Sequence, residues 1–272
     1  MTNSKKFIET KEYKRFAEFC DACIEYKYIG ICYGLPGVGK TLSSKYYSDW
    51  DFVDSQIHFS HPKLLARKSN IKLLAKKVLF YTAPAVRATK MTEQLSSLDS
   101  YLNMAKSVCE FHHSKQEEYT YKTMKDFEDI DLLIVDEIDR LKLQSLEQIR
   151  ALYDQHNFAV VLIGMPGIEK KLARYPQLYS RIGFAHEFDK LSKDETHHIL
   201  EHKWEELGLS ITIEDFSDYE AITSIIKITN GNFRLIQRLF SQIERILKIN
   251  NLSLITTDVV EAARDSLVIG IK

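Results

Sequence analysis

The chain has 272 residues, 44% of them hydrophobic and 28% charged, with a formal net charge of −1 at pH 7. This composition supports a packed core and excludes a disordered chain. The near-zero charge excludes bulk positive charge as the force behind any nucleic-acid binding, so such binding needs a local patch. No apolar run reaches the ~18 residues of a membrane span, and the N-terminal MTNSKKFIETKEYKRF has no h-region or cleavage pattern. The expectation is a cytoplasmic protein whose four cysteines stay thiols, with one α/β core and a smaller satellite.

In chain order, residues 7–27 read as a helix with Phe16, Phe19, Ala22 and Cys23 on one face. Tyr28 to Tyr33 is a short buried strand, closed by Gly34, and Thr41 opens the next helix. Residues 51–62 read as irregular and 63–76 as a basic helix. Val78 to Thr82 is a second strand stopped by Pro84, and 92–111 a helix with Leu95, Leu98, Leu102 and Val108. Residues 112–130 are polar and carry no clear period. Leu132 to Val135 is a third strand, 144–154 a helix, Ala159 to Ile163 a fourth strand, 169–174 a short helix, and 184–188 the last strand. Strands alternating with helices predict a parallel sheet flanked by helices. After residue 190 only helices follow, at 192–206, 216–228, 232–250 and 256–266, punctuated by Gly231 and with Thr256-Thr257-Asp258 as a cap region. The expected division is an α/β domain at 1–190 and a helical lid at 191–272.

Residues 34–41, Gly-Leu-Pro-Gly-Val-Gly-Lys-Thr, are a complete P-loop between a strand and a helix. Gly34, Gly37 and Gly39 let the backbone turn its N–H groups onto phosphate oxygens, and the following helix adds its positive end. Lys40 reaches the outer phosphates and Thr41 ligates Mg²⁺. The nucleotide-contacting set is Gly34, Pro36, Gly37, Val38, Gly39, Lys40, Thr41 and Leu42, with ATP and Mg²⁺ as ligands. Four apolar residues then lead into Asp136 and Glu137 at a strand's C-terminal end, where open α/β sheets bind ligands. Asp136 with Thr41 would hold the metal, and Glu137 would polarise the attacking water.

These motifs with the helical tail resemble AAA+ ATPases. The stretches Leu132 to Leu141, Val161 to Arg174, Tyr179 to Phe184 and Gly231 to Leu235 look like the transposition ATPases TniB, TnsC and MuB, over roughly residues 25–266. That resemblance implies a homo-oligomer, ring or filament, that assembles with ATP on duplex DNA, marks a target for a transposase, with or without a targeting adaptor, and disassembles on hydrolysis. It also implies an arginine reaching a neighbouring subunit's γ-phosphate, with Arg181 the first match and Arg174 the second, and Arg234 as a lid residue sensing nucleotide in cis. The chain departs from the AAA+ pattern after the fourth strand, where Gly164-Met165-Pro166 offers no side-chain donor. Slow or partner-dependent hydrolysis is the expectation, and the chain resembles the shorter members, without MuB's added N-terminal domain. A helicase loader similar to IstB and DnaC is the alternative, as is a nucleotide-gated scaffold with little turnover.

Asp and Glu make up 38 of 272 residues, so a 38-residue stretch would carry about five; residues 55–92 carry none. They hold Lys63, Arg67, Lys68, Lys72, Lys76, Lys77, Arg87 and Lys90. A phosphate-contacting surface and a solvated helix paired with acids elsewhere both account for this. Arg87 and Lys90 are the favoured DNA contacts, since in similar ATPases this region lines the DNA channel. Cys20 and Cys23 with Cys109 and His112 have zinc-like spacings, but Cys20 and Cys23 share an apolar helical face and read better as buried thiols. The pairs His112-His113 and His197-His198 read as surface residues.

Overall fold

Two of the five strands are buried from end to end, as strands covered on both faces of a parallel sheet must be. β3 (Leu132–Asp136) and β4 (Ala159–Gly164) are buried at every residue. β1 (Ile29–Tyr33), β2 (Val78–Thr82) and β5 (Ile182–Glu187) complete a five-stranded sheet of order β2-β3-β4-β1-β5, parallel throughout. β5 lies at the edge and alternates half-buried with exposed residues. The expected parallel sheet flanked by helices is therefore the fold found. The structure, a computed structural model, describes residues 7–57, 70–84, 88–114, 119, 125–209 and 216–267.

The remaining elements are α1 (Lys11–Tyr26), α2 (Lys40–Tyr47), α3 (Trp50–Gln56), α4 (Ala88–His113), α5 (Leu143–Gln155), α6 (Ile168–Leu172), α7 (Pro176–Tyr179), α8 (Lys193–Glu206), α9 (Phe216–Thr229), α10 (Phe233–Asn250) and α11 (Thr257–Asp265), with 3-10 turns at Ile71–Ala75 and Ile138–Arg140. Contacts divide the chain into two units: 15–34 with 40–187, which holds the sheet, and 1–14 with 35–39 and 188–272, which is helical.

In the sheet unit, α1 lays Phe19 and Cys23 on β1 so closely that a Cβ at Gly30 would come within 2.5 Å of Cys23 Sγ. The cysteine pair thus serves packing. Burial pushes the Cys20 thiol well up and the Cys23 thiol to about 12. Cys109, on α4, is also buried, and its thiol donates to the Asn70 carbonyl at 3.4 Å. Among the described residues, no group of three or more metal-ligating side chains converges.

Three expectations need correction. Residues 51–56 of the span read as irregular belong to α3, which starts at Trp50, because Trp50 and Val53 lie one turn apart and both are buried. Of the helix expected at 63–76, residues 63–69 lie outside the described residues. Residues 71–75 make a 3-10 turn capped by the Asn70 side chain on Lys72 N–H, with Leu73 buried beneath. Pro176 starts an additional short helix, α7, ahead of β5.

The helical unit is built on its own core, with Trp204, Ile225, Ile236, Leu239, Ile243 and Val260 at or near zero exposure. Its helix starts are written in local chemistry. Ser192 and Glu195 form a reciprocal capping box at α8, and Glu195 Oε1 also accepts the N–H groups of Lys11 (2.8 Å) and Glu12 (3.4 Å) at the start of α1. Thr256 caps α11. Gly231 has φ +73°, and a Cβ there would collide with the Leu191 carbonyl, whose own N–H donates to Gly231 O at 3.0 Å. Among the described residues, no helix is long and apolar enough to cross a membrane.

Candidate nucleotide site

Register sets the stage. Tyr33 lies opposite Gly164 and Glu187, and Thr82 opposite Asp136, so the C-terminal ends of β1 to β5 form one sheet edge. The chain leaves β1 at that edge, turns through residues 34–39 and re-enters a helix at Lys40. Lys40 is only 9% exposed, and its Nζ donates to the Gly34 carbonyl at 2.5 Å, which holds the ammonium at the loop's mouth. One residue on, Thr41 Oγ1 donates to Asp136 Oδ2 at 2.6 Å. Asp136 is buried, and its Oδ1 accepts the N–H of Glu137 at 2.8 Å. A hydroxyl and a carboxylate, both hard oxygen donors, meet beside an ammonium: the donor set that suits Mg²⁺ and phosphate.

Glu137 adopts a left-handed backbone, φ 59° and ψ 38°, which is costly for a residue with a Cβ. The bend turns the chain sharply out of β3 into the 3-10 turn. There Glu137 Oε2 meets Arg140 Nη1 at 2.5 Å. The role of Asp139 had no counterpart in the sequence pattern. Its Oδ2 accepts the N–H of Met165 at 2.8 Å, and a Cβ on Gly164 would sit 3.0 Å from that oxygen, so a larger residue there would need Asp139 to shift. Lys171 Nζ bonds the carbonyls of Asp139 (3.2 Å) and Leu141 (3.1 Å). The β4 end that lacks a side-chain donor is thus supplied with an acceptor from the β3 loop.

The segment Leu35–Gly39 groups by its contacts with the helical unit. Gly37 (φ +83°) and Gly39 (φ +122°) take conformations that only glycine adopts without strain. The start of α10 grips this segment: Asn232 Nδ2 donates to Pro36 O at 2.9 Å, and Arg234 N–H donates to Gly37 O at 3.0 Å. The Arg234 side chain is exposed and has no partner among the described residues. Val38 is buried, and Leu42 is exposed on the first turn of α2. Asn232 was not foreseen; only its type, an N-capping residue before an apolar helix, was visible.

The two arginines of the α6–β5 region differ. Arg181 donates from Nε and Nη2 to Asp154 at 2.6 and 2.9 Å, and from Nη1 to the Gln177 carbonyl and Ser180 Oγ. Its hydrogen bond holds the Asp154 carboxyl below the usual range, with Arg150 contributing. Arg174 is exposed, and its guanidinium has no partner among the described residues. Lys90 is exposed near the start of α4 and has no side-chain partner among the described residues, whereas Arg87 lies outside them. Lys76 and Lys77 pair with Asp49 (2.8 Å) and Asp129 (3.4 Å), so part of the basic span is neutralised within the fold.

A five-stranded parallel sheet with this loop and acid pair at one edge, followed by a helical region, defines an AAA-type P-loop fold. Residues 24–172 match the family model described as AAA domain, and the chain belongs to that family. It is 60% identical over 275 residues to a Staphylococcus aureus protein named "potential ATP-binding protein", with the whole of both chains covered. Its fold is similar to that of the Thermotoga maritima RuvB Holliday junction branch migration motor (TM-score 0.59, 19% identity, 97% of this chain and 71% of that one). It is similarly close to the Aeropyrum pernix ORC2 protein (0.59, 14%, 99% and 72%) and to the ORC1 protein of that organism in complex with DNA (0.57, 17%, 97% and 67%).

Proposed function

We propose that the chain is a cytoplasmic ATPase that binds ATP with Mg²⁺, assembles with its own copies on duplex DNA, and marks the DNA as a target for a transposase. The observation that carries the nucleotide part is the Thr41–Asp136 hydrogen bond, 2.6 Å, beside Lys40. The "potential ATP-binding" name of the Staphylococcus relative agrees with it, as does the ADPNP-ADP state of the ORC2 structure. Thr41 and Asp136 would hold Mg²⁺, which neutralises phosphate charge when bound. Lys40 and the backbone N–H groups of residues 34–41 bind the phosphates, and Arg234 senses them from the helical region. Glu137 orients water for attack on the γ-phosphorus; the bond to the bridging oxygen breaks, and ADP and phosphate leave. To do so Glu137 must give up Arg140. An arginine from a neighbouring copy completes the site: Arg181 is the match by motif, and Arg174 is the one whose guanidinium is unengaged among the described residues.

For DNA, support comes from the acid-free span at residues 55–92, from exposed Lys90, and from the DNA complex of the similar ORC1 fold. No residue offers a reason to read base edges, so binding is expected to be sequence-tolerant. Repetition of weak phosphate contacts along an assembly supplies the affinity. The test is electron microscopy and salt-dependent binding of the protein on duplex DNA with a non-hydrolysable ATP analogue. ATP-dependent filaments or rings, weakened by Arg87→Ala/Lys90→Ala, support the proposal. Binding to single strands and a ring helicase, with no duplex assembly, supports the helicase-loader alternative instead.

A further inference from the structure

We infer that Asn232 is a positioning residue for nucleotide: it presets the P-loop by holding the Pro36 carbonyl from the start of α10. The inference rests on the proposed ATP binding and gives Asn232 a role beyond capping its helix. Asn232 is the N-cap of α10, with its Oδ1 accepting Leu235 N–H at 3.1 Å, and the same amide's Nδ2 donates to Pro36 O at 2.9 Å. The amide has only one orientation here, because a backbone N–H can only donate and a carbonyl can only accept. Neither Asp nor Ser can replace both halves: either caps the helix equally well, but neither carries the NH₂ that reaches Pro36.

The consequence follows from peptide geometry. In a trans peptide the C=O and the following N–H point in opposite directions. Asn232 fixes the Pro36 carbonyl, and Arg234 N–H fixes the Gly37 carbonyl at 3.0 Å. The N–H groups of Gly37 and Val38 are thereby aimed away from α10, as a phosphate-binding nest needs. Gly37 is packed to the limit against this grip: a Cβ there would come within 2.6 Å of Asn232 Oδ1 and 2.9 Å of Arg234 Cβ. The loop therefore does not pay its full ordering cost when phosphate arrives, and affinity depends on a side chain that never touches the ligand.

The test measures ATP and ADP affinity and nucleotide-free unfolding for the parent, Asn232→Ser, Asn232→Asp and Asn232→Ala. One neutral hydrogen bond corresponds to a change of about 2- to 10-fold. Asn232→Ser is expected to unfold like the parent while binding ATP weaker by that factor. Asn232→Asp is expected to bind weaker still, and Asn232→Ala to lose stability as well. Parent-like ATP affinity in Asn232→Ser overturns the inference, as does weakening confined to Asn232→Asp, which would be charge repulsion alone. A parent protein that binds ATP no better than Lys40→Ala overturns the nucleotide proposal itself, a separable outcome because it is read on the parent.

Discussion

Thr41 on α2 and Asp136 on β3 stand 95 residues apart in sequence and share a hydrogen bond of 2.6 Å. Both oxygens are of the kind Mg²⁺ accepts, so the contact is expected to open into a shared metal shell when the nucleotide binds. Losing one such charge-stabilising contact costs about 10²–10³-fold in rate. Thr41→Ala should therefore depress Mg²⁺-dependent phosphate release by at least about 10²-fold, while Thr41→Ser, which keeps the hydroxyl, stays within a few-fold. A Thr41→Ala protein with the parent's rate across a magnesium titration removes Thr41 from the metal shell.

Glu137 occupies a strained backbone position and its carboxylate faces Arg140 at 2.5 Å. Strain of this sort persists where function requires it. Glu137→Gln keeps the shape and removes the base; it should retain ATP affinity, hydrolyse at least about 10²-fold more slowly, and accumulate as an ATP-bound assembly. Arg140→Ala frees the carboxylate. The pair is largely solvated, so stability should change by less than about 1 kcal/mol, while basal hydrolysis rises. Single-turnover rates for both variants check this, and equal rates in Glu137→Gln and the parent would assign the base elsewhere.

What could be read from sequence followed burial and local rules. β1, β3 and β4 announced themselves because strands covered on both faces are apolar throughout. The P-loop and the Asp136-Glu137 pair are contiguous patterns, and the cap region read at Thr256-Thr257-Asp258 does start the last helix, with Thr256 as its N-cap. Missed features are those that one element cannot encode. Seven residues of α3 are too few for a period to stand out. Asp139 acquires its partner, Met165 N–H, only when the β3 and β4 loops are brought side by side. Asn232 is fully explained as a helix cap until Pro36 is seen beneath its amide.

Arg181 and Arg174 should separate cleanly. Arg181 ties Asp154 from two donors, with Arg150 Nη1 on the same carboxylate at 2.5 Å. Arg181→Ala should lower stability by about 1 kcal/mol, roughly 2–4 °C in melting temperature for a chain of this size. Arg174→Ala should melt with the parent and lose about 10³-fold or more of the assembly-dependent ATPase, as a trans arginine would. Mixing Arg174→Ala with Lys40→Ala should restore activity at junctions where one copy gives its nucleotide site and the other its arginine. If the rescue instead needs Arg181→Ala, the motif match was the better guide.

Asp99, on α4, is 1% exposed, and burial raises its carboxyl from 3.8 to about 6. A hydrogen bond from Phe127 N–H at 2.8 Å opposes the rise, and the nearby carboxylates of Asp126 and Asp129 add to it. The unfolded carboxyl ionises near its ordinary value and the folded one only near 6. Between those points the unfolded chain sheds its proton first. This group's contribution to stability therefore falls as pH climbs from about 4 to about 6 and stays low above that, a change of about 3 kcal/mol at most. Asp99→Asn removes the ionisation but keeps an acceptor for Phe127 N–H. That oxygen can also keep accepting from Asn103 Nδ2, which donates to the Asp99 carboxyl at 3.1 Å. The variant should unfold at higher urea than the parent at pH 8, with the gap closing toward pH 4. A gap that does not change with pH would mean that Asp99 ionises in the folded chain as it does in the unfolded one.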